Sequence, residues 1–522
     1  MTVILRIEDE VNVKFIDLDP HTRRKMVEAL KYFIPHARHT PAYKLGRWDG
    51  TMSFATVGGA TYVNLLDRVL PILAENGYDL DRDIEIQDMR PTWNFEFDEI
   101  DEEVVADRCW PKGHPAEGEP VMLRDYQAEA INTFLKNLQS IQILPTGAGK
   151  TLTTAVLSLQ VEKYGKSIVI VPSKTLVVQT ENDYKNLGLD VGVYYGDRKE
   201  VGHTHTISTW QSLLALIKKT TSGEADDYDI MDLIDGVVCV INDEVHTAKS
   251  DQLKQMLTGY LAHIPIRWGF TGTVPKDEIS QISILVGLGP VVGELKASTL
   301  QDLGVLSRCK VNIVQMIDDH VEYTSYAEEH DYLVNDKRRL EWLAKFIEKT
   351  NQTGNTLILV NNIDCGKQLA NLMPESTFIN GSTKNADRFE QFDEVNASSN
   401  KILIATYGIA AVGLNIPRIF NLVLFEPGKS FVRVIQSIGR GIRVAKDKDY
   451  VDIYDITSSL KYSTRHLATR KTFYKDAEYP FETFKVDYLK DLNGSSLELI
   501  SNKPTKKKNE NFTPREPIIR YE

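Results

Sequence analysis

A glycine-rich run, Leu144-Pro145-Thr146-Gly147-Ala148-Gly149-Lys150-Thr151, carries the first chemistry legible in this chain. It follows a strand expected at 141–144 and precedes a helical pattern beginning at Lys150, so its glycines fall in a strand-to-helix turn. There, backbone N–H groups and the helix N-terminus point at phosphate oxygens. A lysine at this place reaches the β- and γ-phosphates and the next hydroxyl binds Mg²⁺. Pro145, Thr146, Gly147, Ala148, Gly149, Lys150 and Thr151 are therefore expected to hold ATP, with Thr151 also on the metal. Leu144 stands where the general pattern has its first glycine. Downstream, the all-apolar run 237–241 leads into Asp243-Glu244-Val245-His246. Open parallel sheets bind ligands beyond the C-terminal ends of such buried strands. Asp243 fits a partner of Mg²⁺, and Glu244 a group that orients and deprotonates the attacking water. Much later, Gln436-Ser437-Ile438-Gly439-Arg440-Gly441-Ile442-Arg443 sets a glutamine and two arginines on one short predicted helix. Arginines arriving from a distant second domain suggest that two domains share one ATP, so that hydrolysis opens and closes a cleft.

The elements that must position these residues alternate. From residue 121 short apolar runs are separated by amphipathic helical patterns, the arrangement of parallel α/β sheets. Strands are expected at 141–144, 167–171, 205–208, 237–241 and 267–270, and again at 356–360, 401–405, 422–425 and 451–454. The two series part near 290–310, around Gly289-Pro290 and Leu303-Gly304-Val305-Leu306. Before them, strand-like runs at 3–7 and 11–16 and a helical pattern over 21–33 make a small α+β module. It ends in an acidic stretch with the breakers Pro111, Gly113, Pro115, Gly118 and Pro120. The expected domains are 1–112, 113–300, 301–460 and a C-terminal extension, 461–522, with a basic disordered tail from Ser501.

At 522 residues the chain exceeds one core, and its 42% hydrophobic and 26% charged residues are ordinary for a soluble protein. No run approaches the ~20 apolar residues of a membrane helix, and a charge comes too early for a secretory signal. Its 4 cysteines, at 109, 239, 309 and 365, form no metal-ligand pairs and fit a reducing compartment. A cytoplasmic protein is expected, in a host's cytoplasm if phage-encoded. The net charge of −12 conceals polarity. Arg23, Arg24, Lys25, Lys31, Arg38, Lys44 and Arg47 crowd one early stretch, whereas 96–119 is dominated by Asp and Glu. The basic stretch is a candidate for binding nucleic acid.

Residues 121–460 resemble superfamily 2 helicases and translocases, with the motifs in that family's order. Leu123-Arg124-Asp125-Tyr126-Gln127 is similar to the adenine-reading Q motif, which implies ATP contacts for Arg124 and Gln127. Val171-Pro172-Ser173-Lys174-Thr175-Leu176 and Ser208-Thr209-Trp210-Gln211 resemble the first domain's nucleic-acid motifs. They imply DNA contacts for Pro172, Ser173, Lys174, Thr209 and Gln211. Thr271-Gly272-Thr273 stands where the family couples ATP state to strand binding, giving Thr271 and Thr273, with His246, a coupling role. In the second domain Asn361, Thr406 and Gly408 would contact DNA; Ala405-Thr406-Tyr407-Gly408 through Gly413-Leu414-Asn415-Ile416-Pro417 resembles motif V. Many relatives carry Asp where this chain has Asn415, and an amide keeps a hydrogen bond but brings no charge. The resemblance assigns Gln436, Arg440 and Arg443 to motif VI, the two arginines at the γ-phosphate. It implies two tandem RecA-like domains and an ATP- and Mg²⁺-dependent enzyme.

DEAD-box RNA helicases usually carry His at the position of Gln436 and Asp at that of His246, so this pattern lies closer to DNA helicases. Tyr43-Lys44-Leu45-Gly46-Arg47-Trp48-Asp49-Gly50, after the basic stretch, resembles the accessory domain of tailed-phage recombination helicases of the UvsW kind. That extends the resemblance to an activity: unwinding branched DNA, with Arg38, Lys44 and Arg47 as further DNA contacts. The alternatives are an RNA helicase and an ATP-gated DNA-binding scaffold that separates no strands.

Overall fold

The computed structural model describes residues 2–499 apart from 35–36, 113, 115, 225–227, 246–249, 273–274, 276, 320, 384, 412–415, 446, 492–493 and 495–497. His246, Thr273, Asn415 and the tail from Ser501 thus lie outside the described residues. Two compact units are formed, one from 1–144 and 149–294, the other from 145–148 and 295–522.

The first unit is organised by an eight-stranded sheet in the order Arg198–Lys199, Val191–Tyr195, His205–Thr209, Lys166–Val171, Val237–Asp243, Ile266–Thr271, Gln139–Ile143, Val291–Glu294. All pairings are parallel except that of the short edge strand Arg198–Lys199. The central strands are apolar and buried nearly end to end because helices cover both faces. Ile168, Ile170 and Val240 pack there with Leu213, Leu257 and Ile264.

The second unit repeats the plan, in the order Ser376–Ile379, Ile402–Thr406, Thr356–Val360, Asn421–Phe425, Tyr450–Ser458, Arg308–Met316, Phe481–Val486, Glu498–Leu499. Residues beyond 460, read as an extension, supply the strand Phe481–Val486, parallel to Arg308–Met316. The two α/β sheets are RecA-like, as expected. Arg308–Met316 escaped the sequence reading because Arg308, Lys310, Asn312 and Gln315 interrupt its apolar residues.

The N-terminal module is a mixed sheet, Ala60–Tyr62, Asn12–Ile16, Val3–Ile7, Ile84–Asp88, with helices Pro20–Ala29 and Leu66–Glu75. The helix expected over 21–33 is shorter. Asp19 caps it, accepting from the backbone N–H of His21 and Thr22. Lys31–Phe33 leaves it as a strand paired with Thr51–Ser53, as suits its two aromatic residues. The module shares one hydrophobic core with the first sheet's helices: Met26, Leu30 and Leu65 pack in the same cluster as Ala262, Ile279 and Val286. Glu10 N–H donates to the Ala262 carbonyl (3.1 Å), and the Lys254 ammonium sits 4.0 Å from the Phe54 ring centroid. No helix among the described residues is long and apolar enough to cross a membrane.

Candidate ATP site and nucleic-acid edge

Parallel strands deliver their C-terminal ends to one edge of the first sheet, and the sequence-predicted residues gather there. The glycine-rich run leaves Gln139–Ile143, and Glu244 follows directly on Val237–Asp243. Ile266–Thr271, which ends at Thr271, lies between those two strands in the sheet. Gly147 and Gly149 have φ of +91° and +83°, where a side chain is strained. A Cβ on Gly149 would also fall 2.2 Å from the Gln127 amide nitrogen. Gly149 precedes the helix Lys150–Val161 and offers no side-chain cap, so the first-turn N–H groups suit an anion.

Lys150 Nζ lies 2.9 Å from Glu244 Oε1 and 3.3 Å from the Leu144 carbonyl it donates to. The other carboxylate oxygen, Oε2, accepts from the Gly272 N–H at 3.3 Å. One buried carboxylate thereby joins the phosphate loop, the end of the central strand and the Thr271-Gly272 segment. Glu244 holds φ +54°, a conformation that non-glycine residues keep only where surrounding contacts fix it. Gln127, expected at the adenine, is buried, and its Oε1 accepts from the N-cap N–H of Arg124 (2.9 Å) at the start of helix Asp125–Lys136. The Arg124 guanidinium donates to the Tyr126 hydroxyl (3.0 Å).

The next strands along the same edge carry the expected nucleic-acid residues. Val171 and Thr209 are register partners at the ends of Lys166–Val171 and His205–Thr209. Ser173 and Thr209 each cap the helix that follows, accepting from Leu176 and Ser212 N–H, while Lys174 and Gln211 are exposed. In the second unit Val360 and Thr406 are likewise in register, which puts Asn361 beside Thr406 at one strand end; Gly408 is exposed in the helix Tyr407–Ala411. Helix Phe431–Gly441 bears Gln436 and Arg440, whose side chains lie outside what is described; Arg443 follows it and bridges to Leu306.

In the second unit an ionic network without any local signature in the sequence lies near these strand ends. Arg339, on helix Lys337–Thr350, is fully buried between Asp318 and Glu426, the latter at 2.9 Å. Glu426, at φ +45°, follows Asn421–Phe425, and its carbonyl accepts from the Asn361 amide. Burial pushes its carboxyl up to about 8 against the pull of Arg339 and Arg470. Arg470 in turn grips Asp455 with two N–H groups, at 2.8 and 2.9 Å. These residues are scattered over the chain from 318 to 470, and only the fold brings them together.

In the N-terminal module Arg38, Lys44 and Arg47 are all exposed, with Arg38 over the exposed Phe33 ring (5.2 Å); Leu45 is exposed too. The segment is braced from below. Trp48 Nε1 donates to the Thr51 carbonyl, Lys31 pairs with Asp49 at 2.7 Å, and Phe33 and Tyr43 meet edge to face.

A sheet that presents a phosphate loop, an acidic strand end and a row of capping hydroxyls along one edge, followed by a second RecA-like sheet, defines a two-domain P-loop ATPase. Residues 120–276 match the family described as "Type III restriction enzyme, res subunit", and residues 338–445 the "Helicase conserved C-terminal domain". The ATP-dependent DNA helicase uvsW of Enterobacteria phage T4 is 22% identical over 91% of this chain and 94% of that protein. The XPB subunit of Danio rerio is 23% identical over 69% of this chain and 48% of that one. The fold is shared with a fragment of a putative HsdR subunit of a type I restriction enzyme from Vibrio vulnificus (TM-score 0.52, 16% identity, 86% of this chain, 79% of that one). The chain is an ATP-dependent helicase of superfamily 2, of the UvsW and XPB type.

Proposed function

We propose that this helicase acts on DNA, unwinding and remodelling branched structures such as junctions and forks. The observation that carries the reading is the Glu244 carboxylate joined to both Lys150 and Gly272, on the sheet edge that also carries Ser173 and Thr209. A change at the phosphate loop can pass along that edge to a bound strand. Lys150 would hold the β- and γ-phosphates and Glu244 would orient and deprotonate the attacking water. Mg²⁺, when bound, would neutralise charge on the bridging phosphates; Thr151 and Asp243 are the residues that would hold it. Arg440 and Arg443, with Gln436, would act on the γ-phosphate; in related P-loop enzymes such arginines change turnover by ~10³–10⁵. Gln127 would link adenine to the loop through Gly149.

Pro172, Ser173, Lys174, Thr209, Gln211, Asn361, Thr406 and Gly408 would grip the strand by its backbone. Such contacts carry little sequence information, so binding is structure-selective and steeply salt-dependent. The N-terminal module, residues 1–112, would supply the preference for branched DNA. The similar proteins, a phage DNA helicase and a transcription and DNA repair helicase, support DNA over RNA.

ATPase stimulation by single-stranded DNA, duplex, four-way junction and RNA is the direct test. DNA stimulation with junction unwinding is expected. Stimulation by RNA alone would make this an RNA helicase, and tight DNA binding with negligible turnover would make it a scaffold. The accessory role has its own test. Deleting the module would bare Ala262, Ile279 and Val286, so charge reversal is the cleaner probe. Arg38→Glu/Lys44→Glu/Arg47→Glu should weaken junction affinity roughly 10-fold or more and flatten its salt dependence by up to ~3 in log–log slope. ATPase stimulated by short single strands should stay unchanged. Junction binding equal to that of the parent protein would remove the module from DNA recognition.

A further inference from the structure

The end of the Phe431–Gly441 helix is tied down by one buried lysine. Lys448 is 3% exposed, and its ammonium donates to three backbone carbonyls at 2.7 Å each: Pro417, Gly441 and Arg443. An ammonium has three donors, so all are spent on the backbone. Gly441 closes the helix, where carbonyls lack partners within the helix and a cation is favoured. Pro417 closes the 405–417 stretch. The junction is braced again by neighbours of these residues. Arg418 pairs with Asp447 at 2.9 Å, and Ser307 donates its N–H to the Ile442 carbonyl (2.7 Å) and its hydroxyl to that of Arg443 (3.2 Å). The peptide that carries Arg443 is therefore fixed from two sides, by Lys448 and by Ser307.

We infer that Lys448 is a positioning residue for Arg443, fixing that arginine's backbone and joining it to the end of the 405–417 stretch. The inference rests on the proposed action of Arg443 at the γ-phosphate. A group held by its backbone acts at full strength only at one place, and a displacement of about 1 Å can lower turnover by ~10²-fold. Lys448 touches no substrate; its effect passes through Arg443.

The test is a double-mutant cycle on the full chain with saturating single-stranded DNA, reading kcat and KM for ATP. Lys448→Met should lower kcat by roughly 10- to 100-fold with KM little changed, and Ser307→Ala should lower it in the same sense by a few-fold. In an Arg443→Ala background both substitutions should be silent, because nothing is left to position. An unchanged kcat in Lys448→Met, or losses that multiply with that of Arg443→Ala, would overturn the inference. Should Lys448→Met fail to fold, Ser307→Ala carries the same cycle. If Arg443→Ala alone left kcat intact, the proposed role of Arg443 would fall first, and the inference with it.

Discussion

Lys150→Ala should reduce DNA-stimulated ATP hydrolysis by at least ~10²–10³-fold, the scale on which a single preorganised charge at a reacting centre acts. The lysine does two things in this structure. It would place a cation beside the loop proposed to receive phosphate, in which Gly147 and Gly149 stand at positive φ. It also neutralises Glu244, 2.9 Å away and about as deeply buried. Losing it would strip that buried carboxylate of its cation, while the Gly272 N–H stays 3.3 Å away. The variant should therefore bind ATP poorly and turn it over slowly. Its affinity for DNA without nucleotide should be nearly unchanged, since the residues proposed for the strand lie elsewhere on the edge. Glu244→Gln is the informative companion: ATP binding should survive while turnover collapses. Measuring nucleotide binding, ATPase and forked-duplex unwinding for both separates the roles. A Lys150→Ala protein that unwound at the parent rate would show that the site has been assigned wrongly.

How much of this could be read in advance depends on whether a signal is local. The phosphate loop is local, because its glycines, lysine and threonine are consecutive and flanked by an apolar run and a helix. The central strands are local too. Val237–Asp243 is buried on both faces, and its first five residues read as an uninterrupted apolar run. Strands that mix polar and apolar residues, such as Arg308–Met316, carry a weaker pattern and were missed. The strand Lys31–Phe33 was read as helix because amphipathic spacing ran through it, yet a partner at Thr51–Ser53 decided the matter. The site divides the same way. Lys150, Asp243 and Glu244 were legible by type and spacing. That Glu244 would reach Gly272, or that Lys448 would reach Pro417, depends on which strands lie side by side. The network of Asp318, Arg339, Glu426, Asp455 and Arg470 has no local signature, since charged residues scattered along a chain ordinarily face solvent.

That network carries the largest expected effect on stability. Arg339→Met should destabilise the second unit by about 3–5 kcal/mol, because it leaves two acidic groups buried without their shared cation. Asp318 is fully buried and also accepts from the hydroxyls of Tyr332, Tyr488 and Ser458, so it cannot turn toward water. Glu426 is held by its backbone at φ +45° and by the Asn361 amide. The sign of the pH dependence follows from Glu426. Burial raises its folded-state pKa from the ordinary carboxylate range to about 8, so between the two the native state keeps a proton that the unfolded chain releases. Stability from this group falls as pH rises through that window. Arg339 lowers the pKa, so its loss extends the window upward, and the deficit of Arg339→Met should be larger at pH 9 than at pH 6. Asp318→Asn/Glu426→Gln/Arg339→Met should recover part of the loss, since it removes the stranded charges along with their partner. Denaturant melts of the single and triple variants at the two pH values test both statements. A deficit independent of pH would place the cost in lost packing, and a triple variant no more stable than the single one would mean that the charges themselves are not what Arg339 holds in place.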